Sequence, residues 1–187
     1  QQAVQAYQKA ITIKPDYAEA HNNLGLAFLL TGDFENGWEE YDWRLKCDIF
    51  EIRDRKFPQP YWQGSDIDEK AILIWGEQGI GDHIMFASLL PKLQQQKANR
   101  ILVEIERRLV SLFDRSFAGI CFFPIQDPPD ASLLDQSIDY QSPIGSLAQW
   151  LLPDEESFPQ NQSYLKACTD KTTQLRDKYQ RLASGKY

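Results

Sequence analysis

Histidine, cysteine and methionine are scarce in this chain: its 187 residues include two histidines, three cysteines and one methionine. Cys47, Cys121 and Cys168 are far apart, odd in number and form no CxxC pair. With only His21 and His83 to add, no set of residues has the spacing of a structural zinc site, and no metal is expected. Three scattered thiols point instead to a reducing, cytoplasmic setting. Long apolar runs are also missing, which excludes a membrane-spanning helix, and there is no signal-peptide pattern. Basic residues are outnumbered, 20 against 27 acids, giving a net charge of −7 and a pI of about 4.9. That balance excludes general binding to nucleic acid or to anionic membrane, each of which needs a basic surface. Apolar mass is not lacking. At 42% hydrophobic and 12% aromatic, the chain can bury a core and is not globally disordered. It opens at Gln1 within an apparent helix, without an initiator methionine, and reads as a fragment of something longer.

The stretch with the most organised pattern is residues 71–93, AILIWGEQGIGDHIMFASLLPKL. Its first five residues are apolar with β-branched members, as in a strand covered on both faces in a parallel sheet. Gly76, Gly79 and Gly81 then permit a tight turn and close backbone approach. Asp82 stands where a helix N-cap is expected, and Ile84, Ala87, Leu90 and Leu93 recur on one helical face. Open α/β sheets bind ligands at the carboxyl ends of their strands, so the chemistry of the chain is expected at this turn.

Upstream, residues 1–14 carry Ala3, Tyr7, Ala10 and Ile11 on one face and stop at Pro15. A second helix is expected from Ala18, through Ala20, Leu24, Gly25 and Phe28. A turn at Thr31–Gly32–Asp33 leads to a third, through Trp38, Tyr41 and Leu45. These spacings resemble the tetratricopeptide repeat, period about 34 residues. Gly37 and Arg44 depart from it, standing where small alanines are usual, as if the last helix were adapted to dock onto the next domain. One and a half repeats cannot bury their own face, so they are expected to lean on a neighbour. Residues 47–70, with Pro58, Pro60, Gly64, Phe57, Tyr61 and Trp62, read as an ordered crossing segment held by its aromatics.

Beyond the glycine turn the pattern alternates. Strands are expected at 100–106, 120–124 and 138–141, with helices at 107–117 and 143–151 and a loop at 127–135. A terminal helix at 169–183 is polar except for a stripe through Leu175, Tyr179 and Leu182. Alternating strands and helices imply a parallel sheet with right-handed crossovers, half of a Rossmann-like architecture.

The succession WEEYDWRL (38–45), FPQPYWQG (57–64), ILIWGEQGIGD (72–82) and DYQSPIGSL (139–147) resembles bacterial tetratricopeptide-repeat proteins that carry a glycosyltransferase-like domain related to the heptosyltransferases. The resemblance implies repeat helices of about one and a half units at 1–49, an ordered linker at 50–70, and at 71–187 the N-terminal, Rossmann-like half of a GT-B fold. That half handles the acceptor, a glycan or protein. The nucleotide-sugar donor belongs to a C-terminal half, which would open about where this sequence ends. The fragment alone is therefore expected to be inactive.

By the same resemblance Asp82 matches an aspartate proposed as general base, taking the proton from an acceptor hydroxyl; as a helix cap alone it would be structural. Gly79 and Gly81 would let an acceptor approach. Gln78, Glu77 and His83 are further substrate-binding candidates, against readings as a polar turn residue, a solvated carboxylate and a helix-surface histidine. Trp75 would stack on a sugar or pack in the core. Ser142 and Ser146 fall near the fourth strand's end with no chemistry attached. In the repeat, Asn22 and Asn23 are candidates for holding a peptide or protein partner, or are solvated.

Two other functions compete. Dinucleotide binding would use Glu104 or Glu106 on a ribose, but G-x-G-x-x-G fails: Ile84 falls at the third glycine, and no cofactor is expected. A non-catalytic scaffold for protein partners is the stronger alternative.

Overall fold

The computed structural model describes residues 1–47, 55–158, 163–183 and 185; the last two positions of the expected repeat, 48–49, and the first five of the expected linker, 50–54, lie outside them. Three helices come first: α1 (Gln2–Ile13), α2 (Ala18–Leu30) and α3 (Phe34–Tyr41). Pro15 ends the first of them. The second and third pack closely because glycines face each other across their contact. A Cβ on Gly25 would lie 2.5 Å from the backbone nitrogen of Tyr41, and one on Gly37 would lie 2.7 Å from Leu29 Cδ2. The third helix does not run on to Leu45 as an α-helix. It tightens into a 3-10 turn at Asp42–Lys46, which re-aims Arg44.

A four-stranded sheet comes next, β1 (Ala71–Trp75), β2 (Arg100–Ile105), β3 (Ile120–Pro124) and β4 (Tyr140–Pro143), ordered β3-β2-β1-β4 with every pairing parallel. Between β1 and β2 stand α4 (Ile80–Ala87) and α5 (Leu90–Gln95); α6 (Arg107–Ser116) joins β2 to β3, and α7 (Leu147–Leu151) comes after β4. The expected single helix after the glycine turn is thus two. Pro91 has no N–H to give Ala87, and the chain breaks at Ser88, whose hydroxyl donates to the Met85 carbonyl at 2.7 Å. The fourth strand starts two residues later than the alternation suggests. Ile138 N–H closes a turn onto Asp135, and the Asp139 carboxylate accepts the Ala71 N–H at 2.8 Å, so 138–139 pins the start of β1.

The two faces of the sheet are covered differently. Ile72, Ile74, Ile101, Val103 and Ile105 point to one side, where Phe86, Leu90, Leu93, Leu109, Phe113 and Leu147 from α4 to α7 close over them. Leu73, Trp75 and Leu102 point to the other, covered by Phe57, Leu133 and Ile138 from chain outside any α-helix. The crossing from β3 to β4 runs over this second face and contains only a 3-10 turn, Ala131–Leu134, where a crossover helix would be usual. The segment after residue 55 fills the space. Its order rests on amides as much as on aromatics: Trp75 Nε1–H donates to Gln141 Oε1 at 2.9 Å, and Gln141 Nε2 donates to the carbonyls of Phe57 and Gln59 at 3.1 and 2.8 Å. Tyr61 adds a parallel bridge outside β4.

The last helix, α8 (Thr169–Ala183), has no buried residue. No described helix is long and apolar enough to cross a membrane, and no described cluster of His, Cys, Asp and Glu could hold a metal ion.

Gly25→Ala should lower stability by about 1–3 kcal/mol, the usual cost of overpacking. Urea unfolding measures this, and an unchanged midpoint would contradict the close contact of α2 with α3.

Candidate functional site

Loops leaving β1 and β4 diverge, because the chain moves from β1 to β2 in one direction and reaches β4 in the other. The gap between them is the topological switch point at which open parallel sheets bind ligands. Here it is filled by a side chain of the same chain. Arg44, fully buried, enters from the 3-10 turn after α3. Its Nε donates to Glu77 Oε2 at 3.0 Å and its Nη2 to Glu77 Oε1 at 2.7 Å, a two-pronged pair. The remaining guanidinium hydrogens go to Ser146 Oγ at 3.0 Å, Asp42 Oδ1 at 2.6 Å and the Tyr41 carbonyl at 3.3 Å. All five N–H groups are engaged. Glu77 also accepts the Gly145 N–H at 2.9 Å, and a Cβ on Gly145 would lie 2.7 Å from that carboxylate and 2.8 Å from Arg44 Nη2. Glycine there is a condition of the fit.

Burial opposes the charge of Arg44, but the Glu77 carboxylate more than offsets it and holds the guanidinium above its ordinary pKa. The guanidinium also lies 4.3 Å over the Tyr41 ring. Burial pushes the Tyr41 phenol up to about 12, with Arg44 acting in the opposite direction.

A second buried pair flanks β1 on the other side. Arg55 donates to Glu104 through Nη2, and both of its terminal nitrogens reach the Gln126 carbonyl, at 3.0 and 3.1 Å. Glu104 is therefore held inside the protein by an arginine, and Glu106 lies beside Arg108 at 3.1 Å. Both glutamates that would serve a ribose have protein partners.

The remaining sequence candidates separate into an inner and an outer set. Glu77, read as a solvated loop carboxylate, is buried against Arg44. His83 is buried rather than on the helix surface: Nδ1 accepts the Glu106 N–H at 3.1 Å, and the ring occupies the space a Cβ on Gly76 would need. Trp75 is in the core. Asp82 is not the N-cap of α4. The helix begins at Ile80 with Gly79 as cap, and Asp82 occupies its third position, one carboxylate oxygen accepting the Gly79 N–H at 3.0 Å. Gln78, Gly79, Gly81 and Asp82 stay at the solvent rim. In the repeat, Asn22 is buried and Asn23 exposed. Their neighbour His21 bridges Glu40, at 2.5 Å, and the Pro15 carbonyl, at 3.0 Å, while stacking 3.8 Å from Trp43. What the sequence alone does not reveal is the partner of Arg44; its one signal is a long cation where the repeat pattern has a small residue.

The match to known proteins begins with the helices. Residues 1–32 match the TPR repeat family. The chain is also similar to Protein FlbA of Caulobacter vibrioides, 27% identical over 169 residues, an alignment covering 84% of this chain. The chain spans 28% of the length of that protein. No solved structure matches.

Removing one partner of a buried pair leaves the other charge without compensation, so Arg44→Met and Glu77→Gln should each cost about 3–5 kcal/mol. The double variant should cost less than the sum, by about 0.5–3 kcal/mol, in a urea-unfolding cycle; additive costs would contradict the pairing.

Tyr41 supplies a pH test. A phenol whose folded pKa is raised adds stability that is complete below pH 10 and lost as pH rises toward about 12. Tyr41→Phe should therefore flatten the alkaline fall in stability over that interval, and an unchanged profile would count against burial of the phenol.

Proposed function

We propose that this chain is a protein-interaction module, in which the ligand crevice of an α/β domain has become the socket that holds a TPR unit. The observation that carries this reading is Arg44: a substrate entering the switch point would have to break a buried pair whose donors are all used. Two further contacts support it. Trp38 Nε1–H donates to the Leu152 carbonyl at 2.9 Å, and the rings of Phe34 and Phe158 lie 4.9 Å apart. The residues around α7 thereby cover the face of α3 and cap the repeat, as a terminal unit of a solenoid requires. The partner surface in this reading is the hollow of about 570 Å³ beside α1 and α2, where Gln1, Gln5, Gln8, Thr31 and Asp33 surround Val4 and Phe28. Amides both donate and accept, which suits the backbone of an extended peptide. Asn23 is a further contact; Asn22 is enclosed.

A second reading has its own support: the chain as the acceptor half of a GT-B glycosyltransferase, with the nucleotide-sugar donor held by another half. Asp82 sits at the rim with its second carboxylate oxygen unpartnered among the described residues. Beside it, neither Gly79 nor Gly81 has a positive φ, and a Cβ on Gly81 would meet nothing within 4 Å. Neither conformation nor internal packing demands glycine at 81, which leaves room for a group from outside.

One experiment weighs the two. Nucleotide sugars are tested for turnover by the full-length protein, wild type and Asp82→Asn, while a peptide array is probed with the 187-residue chain. The module reading expects no Asp82-dependent turnover, and peptide binding that falls about tenfold in Gln5→Ala/Gln8→Ala. Turnover that drops about 10²–10⁴-fold in Asp82→Asn would overturn it in favour of the transferase.

A further inference from the structure

The helix α8 stands apart from both domains. All of its fifteen residues are exposed, including Leu175 at 51%, Tyr179 at 62% and Leu182 at 50%. A helix of this length with no tertiary cover is marginal in water. Thr172, Leu175, Tyr179 and Leu182 are spaced three, four and three residues apart, the a and d positions of a heptad. The charges keep to the same frame. The flanking e and g positions include Lys171, Arg176 and Lys178 and no acid, whereas Asp170 and Asp177 both fall at f, on the far side.

We propose that α8 is a docking helix for a partner helix whose own apolar seam is flanked by glutamate or aspartate. The charge pattern selects this occupant. A second copy aligned in parallel would set Lys171 against Arg176, and an antiparallel copy would set lysine against lysine and arginine against arginine, so self-pairing is repelled either way. A membrane surface fits less well. The seam has only two apolar positions per heptad, lacks tryptophan and phenylalanine, and is far narrower than the broad face an interfacial helix buries. An acidic helix satisfies both features, covering the seam and neutralising the three cations beside it. This surface is separate from the carboxyl edge of the sheet and does not depend on which reading of that site holds.

The test uses the whole chain and a synthetic four-heptad peptide with isoleucine at a, leucine at d and glutamate at every e and g, compared with its all-lysine counterpart. In about 50 mM salt the glutamate peptide should bind at least about tenfold more tightly, with the margin shrinking as salt rises. Lys171→Glu/Arg176→Glu/Lys178→Glu should reverse the preference, and Leu175→Gln/Leu182→Gln should abolish binding of the glutamate peptide. These substitutions lie on exposed positions, so circular dichroism of the remaining domains should be unchanged. Equal binding of the two peptides, binding of neither, or a preference that survives the charge reversal would overturn the proposal. So would dimerisation of the unmodified chain in sedimentation, or capture by phosphatidylglycerol vesicles without binding of the peptide.

Discussion

A two-pronged ion pair between Arg44 and Glu77, sealed from water, is the constraint on which the rest of this structure depends. Taking both charges out of solvent costs several kcal/mol per ion, and attraction offsets it only when every remaining donor and acceptor is used. Several otherwise unrelated features arise from that requirement. The third helix tightens into a 3-10 turn so that Asp42 and the Tyr41 carbonyl can take the outer guanidinium hydrogens. Ser146 accepts from the same guanidinium, and residue 145 is glycine because a side chain would displace the pair. Tyr41 lies beneath the guanidinium and is held protonated by the same burial. The pair fixes the helical unit to the sheet and occupies the crevice where a ligand would otherwise bind.

The second face of the sheet shows how a thin cover can suffice. With no α-helix in the connection from β3 to β4, Leu73, Trp75 and Leu102 are shielded by Phe57, Leu133 and Ile138, and the covering segments are tied down by Gln141, Gln59 and Arg55. Gln141 uses both ends of its amide here, and such pairing leaves little freedom for the cover to slide. The N-terminal run thus contributes two arginines, Arg44 and Arg55, that meet two glutamates on either side of β1.

Much of this is legible from the residues. Short apolar runs locate β1, β2 and β3, and the alanine, glycine and proline spacing locates the repeat, because both are local signals. Arg44 is conspicuous as a long cation at a small-residue position, and it does dock onto the sheet domain. Its partner is not visible, since Glu77 is 33 residues away and looks like an ordinary loop acid. The sequence misplaces His83 and Asp82 for related reasons. Periodicity says which face of a helix is apolar, but not that a glycine at 76 opens a slot for an imidazole or that the helix starts three residues earlier. The break at Ser88, which stems from the missing N–H of Pro91, is not read from the apolar spacing, because that spacing runs unbroken through Leu93. Apolar content is no guide to where β4 begins, because Ile138 is buried from a turn.

The central claim is that the repeat and the sheet are one body, clamped at the crevice. Native-state hydrogen exchange tests it most directly, by comparing the amide of Gly145, which donates to Glu77, with the amides of α2. If the clamp holds, both should open only with the free energy of global unfolding. Exchange of the α2 amides at a markedly lower free energy, with Gly145 still protected, would show that the repeat unfolds independently and would contradict the account.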